Sequence, residues 1–244
     1  PEFFVVNPIP WEIGVSEETP NLDKLFSDWV GEDKKNRLYE LLAFCIVPHY
    51  FIDRMFFLYG DGSNGKHTFI DILTMFLDKK HHEKSLIENK TRSNIGYTTF
   101  DRLDKNIRFE AGQCFFKKLA TIITEARYDS IQKSDAIKSV IGKNTPIPAE
   151  FKRARDVVNF YNYSKLITLT NELPFPKDNS DGFHRRVLVI DFTNKFKKEA
   201  DVISKIGDVE YQNLVKKCLR IAGELFQNRK FTDEGELDER IRQS

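Results

Sequence analysis

Apolar residues recur at helical spacing early in the chain and then give way to short runs that are apolar throughout. Over residues 22–47 they fall three and four positions apart, which predicts a pair of helices that ends before Pro48. The run Met55–Tyr59 is apolar on both faces, as expected for a buried strand of a parallel sheet. Residues 69–77 return to a pattern with one apolar face. The sequence therefore predicts a strand, a glycine-rich turn and a helix in succession.

Further apolar segments continue the alternation of strands and helices. Strands are predicted at 107–109, 119–124, 165–170 and 187–192, and a helix at 134–141. Such an alternation indicates an α/β fold, with helices on the faces of a sheet. We expect three parts: an N-terminal lead-in and helical segment over 1–50, a core over 51–200, and a small C-terminal helical lobe over 201–244.

Composition narrows the range of functions only slightly. The formal net charge is +1, so any contact with nucleic acid must come from local clusters of basic residues. Three widely spaced cysteines predict buried, reduced thiols of an intracellular, cytoplasmic protein, with neither disulfides nor a zinc site. No apolar stretch is long enough to span a membrane. Because the chain begins with Pro1, we expect it to be a fragment of a longer protein.

The turn after the first buried strand carries the strongest chemical signal. Glycines let successive backbone N–H groups face a phosphate, and the following helix directs its positive end at the same point. A lysine at the start of that helix supplies a charge for the β- and γ-phosphates of ATP. The alternative is a plain strand-to-helix turn. The predicted nucleotide-binding residues are Gly60, Asp61, Gly62, Ser63, Asn64, Gly65, Lys66, His67 and Thr68.

One position departs from the usual phosphate loop. The residue after the lysine is ordinarily Ser or Thr, whose hydroxyl binds Mg²⁺, but here it is His67. Magnesium prefers hard oxygen ligands. Thr68 follows, although one step along a helix turns it about 100° away. The candidate Mg²⁺ ligands are nevertheless Thr68 and, at the end of a later predicted strand, Glu125. Hydrolysis is expected to be slow or to use a metal held through water.

Polar residues follow two of the predicted strands. Glu125 ends the strand 119–124, where phosphate-loop enzymes place the acid that orients the attacking water or holds the metal. The residue before it, often a second acid, is Thr124. Asn171 follows the strand 165–170, where an amide can contact the γ-phosphate or the water. Alternatively, Asn171 caps the turn toward Pro174.

Two arginines, Arg185 and Arg186, precede the last predicted strand. Paired arginines often form only surface salt bridges. In a ring-shaped ATPase, however, one of them can reach the neighbouring subunit's γ-phosphate and stabilise the charge of the transition state. The dipeptide His81-His82 has no further ligand at suitable spacing and is interpreted as an exposed polar loop.

Taken in order, these elements resemble superfamily 3 helicases, specifically the poxvirus-type primase–helicase family found also in phages, plasmids and mobile elements. The resemblance covers most of the chain. Residues 137–147 are similar to the family's Lys-x-x-x-Gly-x-Asp-x-Ile stretch, with Asn144 where Asp is common. The motifs that carry the resemblance are Asn64-Gly65-Lys66, Glu125, Thr170-Asn171-Glu172-Leu173-Pro174, Phe183-His184-Arg185-Arg186, Asn7-Pro8-Ile9-Pro10-Trp11 and Phe231-Thr232-Asp233.

The resemblance implies an AAA+ P-loop NTPase core that binds ATP and Mg²⁺ between the subunits of a homo-oligomeric ring of six subunits. Lys66, Glu125 and Asn171 would then serve one subunit's nucleotide, and Arg185 or Arg186 would come from the next. It also implies a pore hairpin near residues 148–157 that contacts single-stranded or forked DNA. The predicted DNA-binding residues are Lys143, Lys152, Arg153 and Arg155. A solvated charged loop is the alternative interpretation of that segment.

Two functions of different classes follow, with a third that shares their core chemistry. The first is an ATP-dependent DNA translocase or helicase that acts in replication of a virus, plasmid or mobile element. The second is a ring-forming initiator module that binds DNA under nucleotide control with weak or no hydrolysis. The third is an ATPase acting on RNA or protein. The family resemblance further implies a primase-like domain before this segment and a winged-helix domain after it.

Overall fold

The chain folds around a five-stranded parallel sheet. The computed structural model describes residues 6–79, 93–126, 131, 134–142, 145–152, 156–173, 181–196 and 202–234. The strands are β1 Met55–Tyr59, β2 Ile95–Tyr97, β3 Ala120–Ala126, β4 Ile147–Ala149, β5 Val158–Phe160, β6 Lys165–Thr170 and β7 Val187–Asp191. The sheet has the strand order β2-β3-β6-β1-β7, and β4 pairs with β5 as a separate antiparallel hairpin. The predicted α/β class is thus confirmed.

Helices connect and cover these strands. They are α1 Pro20–Val30, α2 Lys35–Ile46, α3 Lys66–Asp78, α4 Phe100–Glu110, α5 Asp135–Val140, α6 Asp181–His184 and α7 Asp208–Asn228. The described residues of β6 are all buried, and β1 is buried up to its last residue, as expected for central strands with helices on both faces. None of the helices in the described ranges is both long and apolar enough to cross a membrane.

All strands of the parallel sheet end at one edge, which we call the loop edge, and begin at the opposite edge. In the register of β1 with β7, Met55 is level with Val187 and Tyr59 with Asp191. Strands rise about 3.3 Å per residue, so the five residues of β1 separate the two edges by roughly 16 Å. Whether a residue precedes or follows a strand therefore decides which ligands it can reach.

The N-terminal segment and the last helix pack together. The carboxylate of Glu210 on α7 accepts hydrogen bonds from the Leu22 backbone N–H and the Asn21 side chain, both at 2.8 Å. It thereby satisfies one of the backbone N–H groups that the first turn of α1 leaves free. The Trp11 ring stacks on Tyr211 with centroids 4.6 Å apart. Because α7 also packs against α2, it holds α1 beside the core.

The predicted strand at 107–109 is wrong, since these residues lie in α4. Thr99 caps this helix by accepting a hydrogen bond from the Arg102 backbone N–H, and the helix buries Phe100 and Leu103. The sheet takes its strand from Ile95–Tyr97 instead. The other predicted strands and the helix at 134–141 are found with shifts of at most two residues at their ends. The helix predicted from the pattern at 69–77 begins three residues earlier, at Lys66, and the helical C-terminal segment contains α7 over Asp208–Asn228. All three cysteines are free and buried, as predicted.

Candidate functional site

The glycine-rich loop, residues 60–65, joins β1 to α3 at the loop edge. Gly60 and Gly65 have φ angles of 149° and 95°, values that residues with a side chain rarely adopt. Gly65 directly precedes the first residue of α3, so the unpaired N–H groups of that helix open toward the loop. This geometry suits an anion, because both the helix dipole and the backbone N–H groups favour negative charge there.

Close packing explains why Gly65 has no side chain. A Cβ atom at this position would lie 2.5 Å from the indole Nε1 of Trp29, well inside van der Waals contact. Trp29 is a buried residue of α1. The N-terminal helix therefore supports the glycine-rich loop from beneath, and a substitution at Gly65 would displace one or the other.

Lys66 turns its ammonium group into the loop. Its side chain is 4% exposed, and Nζ donates to the Gly60 carbonyl, to the Asp61 carbonyl at 3.3 Å and to Oδ1 of Asn64 and Asn171, both at 3.1 Å. All four acceptors are neutral. Burial lowers the pKa of Lys66, with the Asp61 carboxylate opposing that shift. An anion bound in the loop would stabilise this poorly solvated charge.

An irregularity in β3 exposes Glu125. Ile123 pairs with Thr168 and Ala126 with Thr170, so Thr124 and Glu125 together face a single residue of β6. Such a bulge redirects side chains and is frequent beside active sites. Both bulged residues are exposed although the strand before them is buried. Glu125 therefore projects from the loop edge, on the side of β1 where Asn171 lies.

Asn171 links the end of β6 to the glycine-rich loop. Its side chain is exposed, and its Oδ1 accepts the hydrogen bond from Lys66 described above. The hydroxyl of the preceding Thr170 donates to the Ala126 carbonyl at 2.9 Å, which ties β6 to the end of β3. The structure thus brings Lys66 and Asn171 into contact and puts Glu125 on the neighbouring strand. The alternative role, a cap toward Pro174, lies outside the described residues.

Potential metal ligands are sparse. His67 is exposed and Thr68 is half-buried on the first turn of α3. In the described ranges, no three His, Cys, Asp or Glu side chains converge to hold a metal ion. The donors present, the Thr68 hydroxyl and the Glu125 carboxylate, are hard oxygens that suit Mg²⁺. A magnesium ion here would need phosphate oxygens and water for the remainder of its ligands.

The two arginines lie at the opposite edge of the sheet. They precede β7, and the Arg186 carbonyl accepts a hydrogen bond of 2.7 Å from the N–H of Met55, the first residue of β1. The Arg186 guanidinium donates to the carbonyls of Gly182 and Ile141, and its pKa is lowered by burial and by the adjacent Arg185. Arg185 is exposed. Neither arginine can reach the glycine-rich loop of its own chain.

The segment predicted as a pore hairpin, residues 148–157, overlaps β4 and ends directly before β5, and these two strands pair as an antiparallel hairpin. Phe116 packs under it, with ring centroids 5.2 Å from Phe151 and 5.1 Å from Phe160. Lys152 is exposed on the connecting segment. The other predicted DNA-binding residues, Lys143, Arg153 and Arg155, lie outside the described residues, as do His81 and His82.

Sequence reasoning missed two long-range contacts that support the loop. The Asn64 side chain donates to the Phe192 carbonyl at 3.2 Å, across a separation of 128 residues. Trp29 lies before β1 and carries no phosphate-loop motif. No short-range pattern marks either contact, because both depend on how α1 and the end of β7 pack around β1.

These features define a parallel α/β protein whose glycine-rich loop and buried lysine lie at the edge where the strands end. A family model matches residues 58–186, more than half of the chain. The chain belongs to that family, which is described as a family of unknown function, DUF5906. The matched span includes the loop, Glu125, Asn171 and both arginines.

Solved structures share the fold. The A-form apo structure of the NrS-1 C-terminal region has a TM-score of 0.60 and 15% identity, over 93% of this chain and 55% of that one. A second apo structure of this region has a TM-score of 0.61 and 14% identity, over 94% of this chain and 56% of that one. This chain thus spans little more than half the length of these structures, and at such identity the likeness is one of fold. No curated protein matches the chain.

Proposed function

We propose that this chain is the ATP-hydrolysing motor domain of a DNA translocase that acts in replication, built on an AAA+ P-loop core of the superfamily 3 helicase type. The observation that carries the proposal is Lys66, whose buried ammonium group has only neutral acceptors in a glycine-rich loop. A triphosphate would supply the missing negative charge. The order of the motifs along the chain supports the same assignment.

Each residue at the loop edge has a role in this chemistry. The N–H groups of residues 60–65 and the start of α3 would hold the phosphates, with Lys66 on the β- and γ-phosphates. Glu125 would orient the attacking water, and Asn171 would contact the γ-phosphate or that water. Mg²⁺, bound through phosphate oxygens with Thr68 or Glu125, would offset the charge that develops on the phosphate.

The position of the arginines supports assembly into a ring. A guanidinium roughly 16 Å from its own loop can act on a nucleotide only in a neighbouring subunit. Arg185 is exposed and suited to that role, whereas Arg186 is engaged by the carbonyls of Gly182 and Ile141. A closed ring, with six subunits as the family resemblance implies, would put every Arg185 beside the next subunit's phosphates.

Single-stranded or forked DNA is the proposed substrate. The β4–β5 hairpin carries the exposed Lys152, and Lys143, Arg153 and Arg155 lie close to it in sequence. Basic side chains with adjacent aromatic residues suit a groove that follows a nucleic-acid backbone. The near-neutral net charge of the chain agrees with a local contact instead of a broadly basic surface.

The test is ATP hydrolysis by the full-length protein with and without single-stranded DNA. We expect DNA to stimulate hydrolysis and Lys66→Ala to abolish it. Lys105→Ala is the matched control, because Lys105 is an exposed lysine on α4 paired with Asp101. Equal hydrolysis by the wild-type and Lys66→Ala proteins would eliminate the motor function.

A second candidate is a ring-forming initiator module that binds nucleotide but scarcely hydrolyses it. The exposed His67 at the position of the usual metal-binding hydroxyl favours this alternative. If weak ligation of Mg²⁺ limits hydrolysis, His67→Ser should raise turnover. Unchanged turnover with tight nucleotide binding would show that the metal is already well held, and the motor would remain the better assignment.

A further inference from the structure

The segment that follows β7, residues 192–196, runs along the glycine-rich loop, and we call it the loop strap. Its backbone N–H groups at Phe192, Thr193 and Phe196 donate to the carbonyls of Tyr59, Trp29 and Ser63 at 2.8, 3.2 and 2.9 Å. The last of these acceptors lies within the glycine-rich loop itself. The strap is therefore bonded to the end of β1, to α1 and to the loop.

Side-chain contacts fix the strap further. The ring of Phe192 stacks on Trp29 with centroids 6.1 Å apart, and Asn194 donates to the Asp28 carbonyl at 2.6 Å. A Cβ atom on Gly60 would lie 2.5 Å from the Phe192 carbonyl oxygen. The strap and the loop thus approach as closely as backbones can, and the position of one determines that of the other.

The end of the strap presents two side chains beside the loop. Lys195 Nζ lies 3.0 Å from the Asp61 carboxylate, and both side chains are largely exposed. Such a pair contributes little to stability, but its distance shows that the end of the strap lies beside the loop. The next residue, Phe196, is 38% exposed. Its backbone is bonded to the loop at Ser63, so the exposed part of its ring offers apolar surface close to the loop that a planar ligand could cover.

The direction of a bound nucleotide follows from the order of the strands. Lys66 contacts Asn171 at the end of β6, and Glu125 lies on β3 beyond it. The reacting γ-phosphate must be near these polar groups. The α-phosphate and nucleoside then extend to the other side of β1, where β7 and the loop strap lie.

We infer that Phe196 is the nucleobase platform of this site, with the base stacked on its exposed ring while the glycine-rich loop holds the phosphates. This inference rests on the proposed nucleotide-binding function. Stacking on an aromatic ring tolerates any base, so the platform contributes affinity for nucleosides without selecting adenine over guanine.

A comparison of two ligands distinguishes base stacking from phosphate binding. Calorimetry measures the affinity of the full-length protein for ATP and for inorganic tripolyphosphate, which has no base. We expect Phe196→Ala to weaken ATP binding about tenfold or more and to leave tripolyphosphate binding unchanged. Phe196→Tyr should restore ATP binding. Phe226→Ala, at a similarly exposed phenylalanine on α7, should change neither affinity.

Each of the other possible results overturns either the inference or the proposed function. If Phe196→Ala binds ATP as tightly as the wild type, the base does not stack on this ring and the inference is overturned. If the variant loses affinity for ATP and for tripolyphosphate equally, the ring only supports the loop, and the inference also fails. If the wild-type protein binds neither ligand, the proposed function itself is wrong, which distinguishes that failure from the other two.

Discussion

The ammonium group of Lys66 donates a hydrogen bond of 3.1 Å to Oδ1 of Asn171, and so joins the first residue of α3 to the end of β6. This contact brings together two motifs that lie 105 residues apart. In the proposed function, this amide would contact the last phosphate of the bound triphosphate. The net charge of Lys66 and residue 171 should therefore determine how strongly the site attracts an anion.

Replacing the amide with a carboxylate should weaken nucleotide binding. In Asn171→Asp the new negative charge pairs with Lys66, raises its pKa and competes with the phosphates. We expect affinity for ATP to fall about tenfold, a change of about 1.4 kcal/mol, by calorimetry. Asn171→Ala removes one hydrogen bond without adding charge and should have a smaller effect. Wild-type affinity in Asn171→Asp would show that the phosphates lie elsewhere.

Glu125 should matter for hydrolysis and not for binding. Glu125→Gln keeps the shape of the side chain but loses the charge that orients water, so turnover should fall about 100-fold or more while ATP affinity stays close to that of the wild type. Glu172→Gln is the matched control, since Glu172 is also exposed just beyond β6. Turnover that falls equally in both variants would contradict a specific role for Glu125.

Substitution of Arg185 and of Arg186 should have different effects. Arg185→Ala should leave the melting temperature unchanged and reduce hydrolysis about 1000-fold. Mixing it with Lys66→Ala protein should restore part of the activity, because each subunit then supplies what its neighbour lacks. Arg186→Ala leaves two carbonyl acceptors without their donor and should destabilise the fold by about 1–3 kcal/mol. Failure of the mixed proteins to recover activity would argue against action between subunits.

Lys165, at the start of β6, predicts a pH dependence of stability. Its ammonium group is fully buried, donates to the carbonyls of Val47 and His49, and lies over the ring of Phe44. Burial lowers its pKa to about 7 from the usual 10.5. Between these values the unfolded chain binds a proton that the folded chain does not, so the stability contribution of Lys165 rises with pH.

The corresponding test compares the wild type with Lys165→Met by urea unfolding at pH 7, 8 and 9. The variant has no titrating group at this position. The free energy of unfolding of the wild type should therefore gain about 2 kcal/mol relative to the variant over that range. A difference that stays constant with pH would show that Lys165 remains charged in the folded protein.

The sequence predicts those parts of the fold whose signals are local. The run Met55–Tyr59, the glycines after it and the helical pattern that follows suffice to locate β1, the loop and α3. The three residues of β2 are too few to show a period, and the alternation of Ile107, Arg108 and Phe109 resembles a strand. The cap at Thr99 and the burial of α4 nevertheless make these residues helical. Packing against the rest of the protein decides this, and a stretch of three residues does not encode it.

For the candidate site, the sequence predicts which residues take part but not how they are arranged. The types and order of Lys66, Glu125 and Asn171 follow from phosphate chemistry. The bulge that exposes Glu125 depends on how β3 aligns with β6, and the loop strap depends on the end of β7 meeting a loop more than 120 residues earlier, as the 128-residue separation of Asn64 and Phe192 illustrates. Such pairings are set by the packing of the whole sheet.

Contact between Trp29 and Gly65 gives the protein an intrinsic optical reporter. One of only two tryptophans in the chain lies where any shift of the loop would change its surroundings, while the other, Trp11, donates to the Met75 carbonyl at the far end of α3. Ligand-induced movement should therefore appear in the emission of a single indole, without a dye. The same contact would transmit that movement to α1, and so to the surface of the molecule.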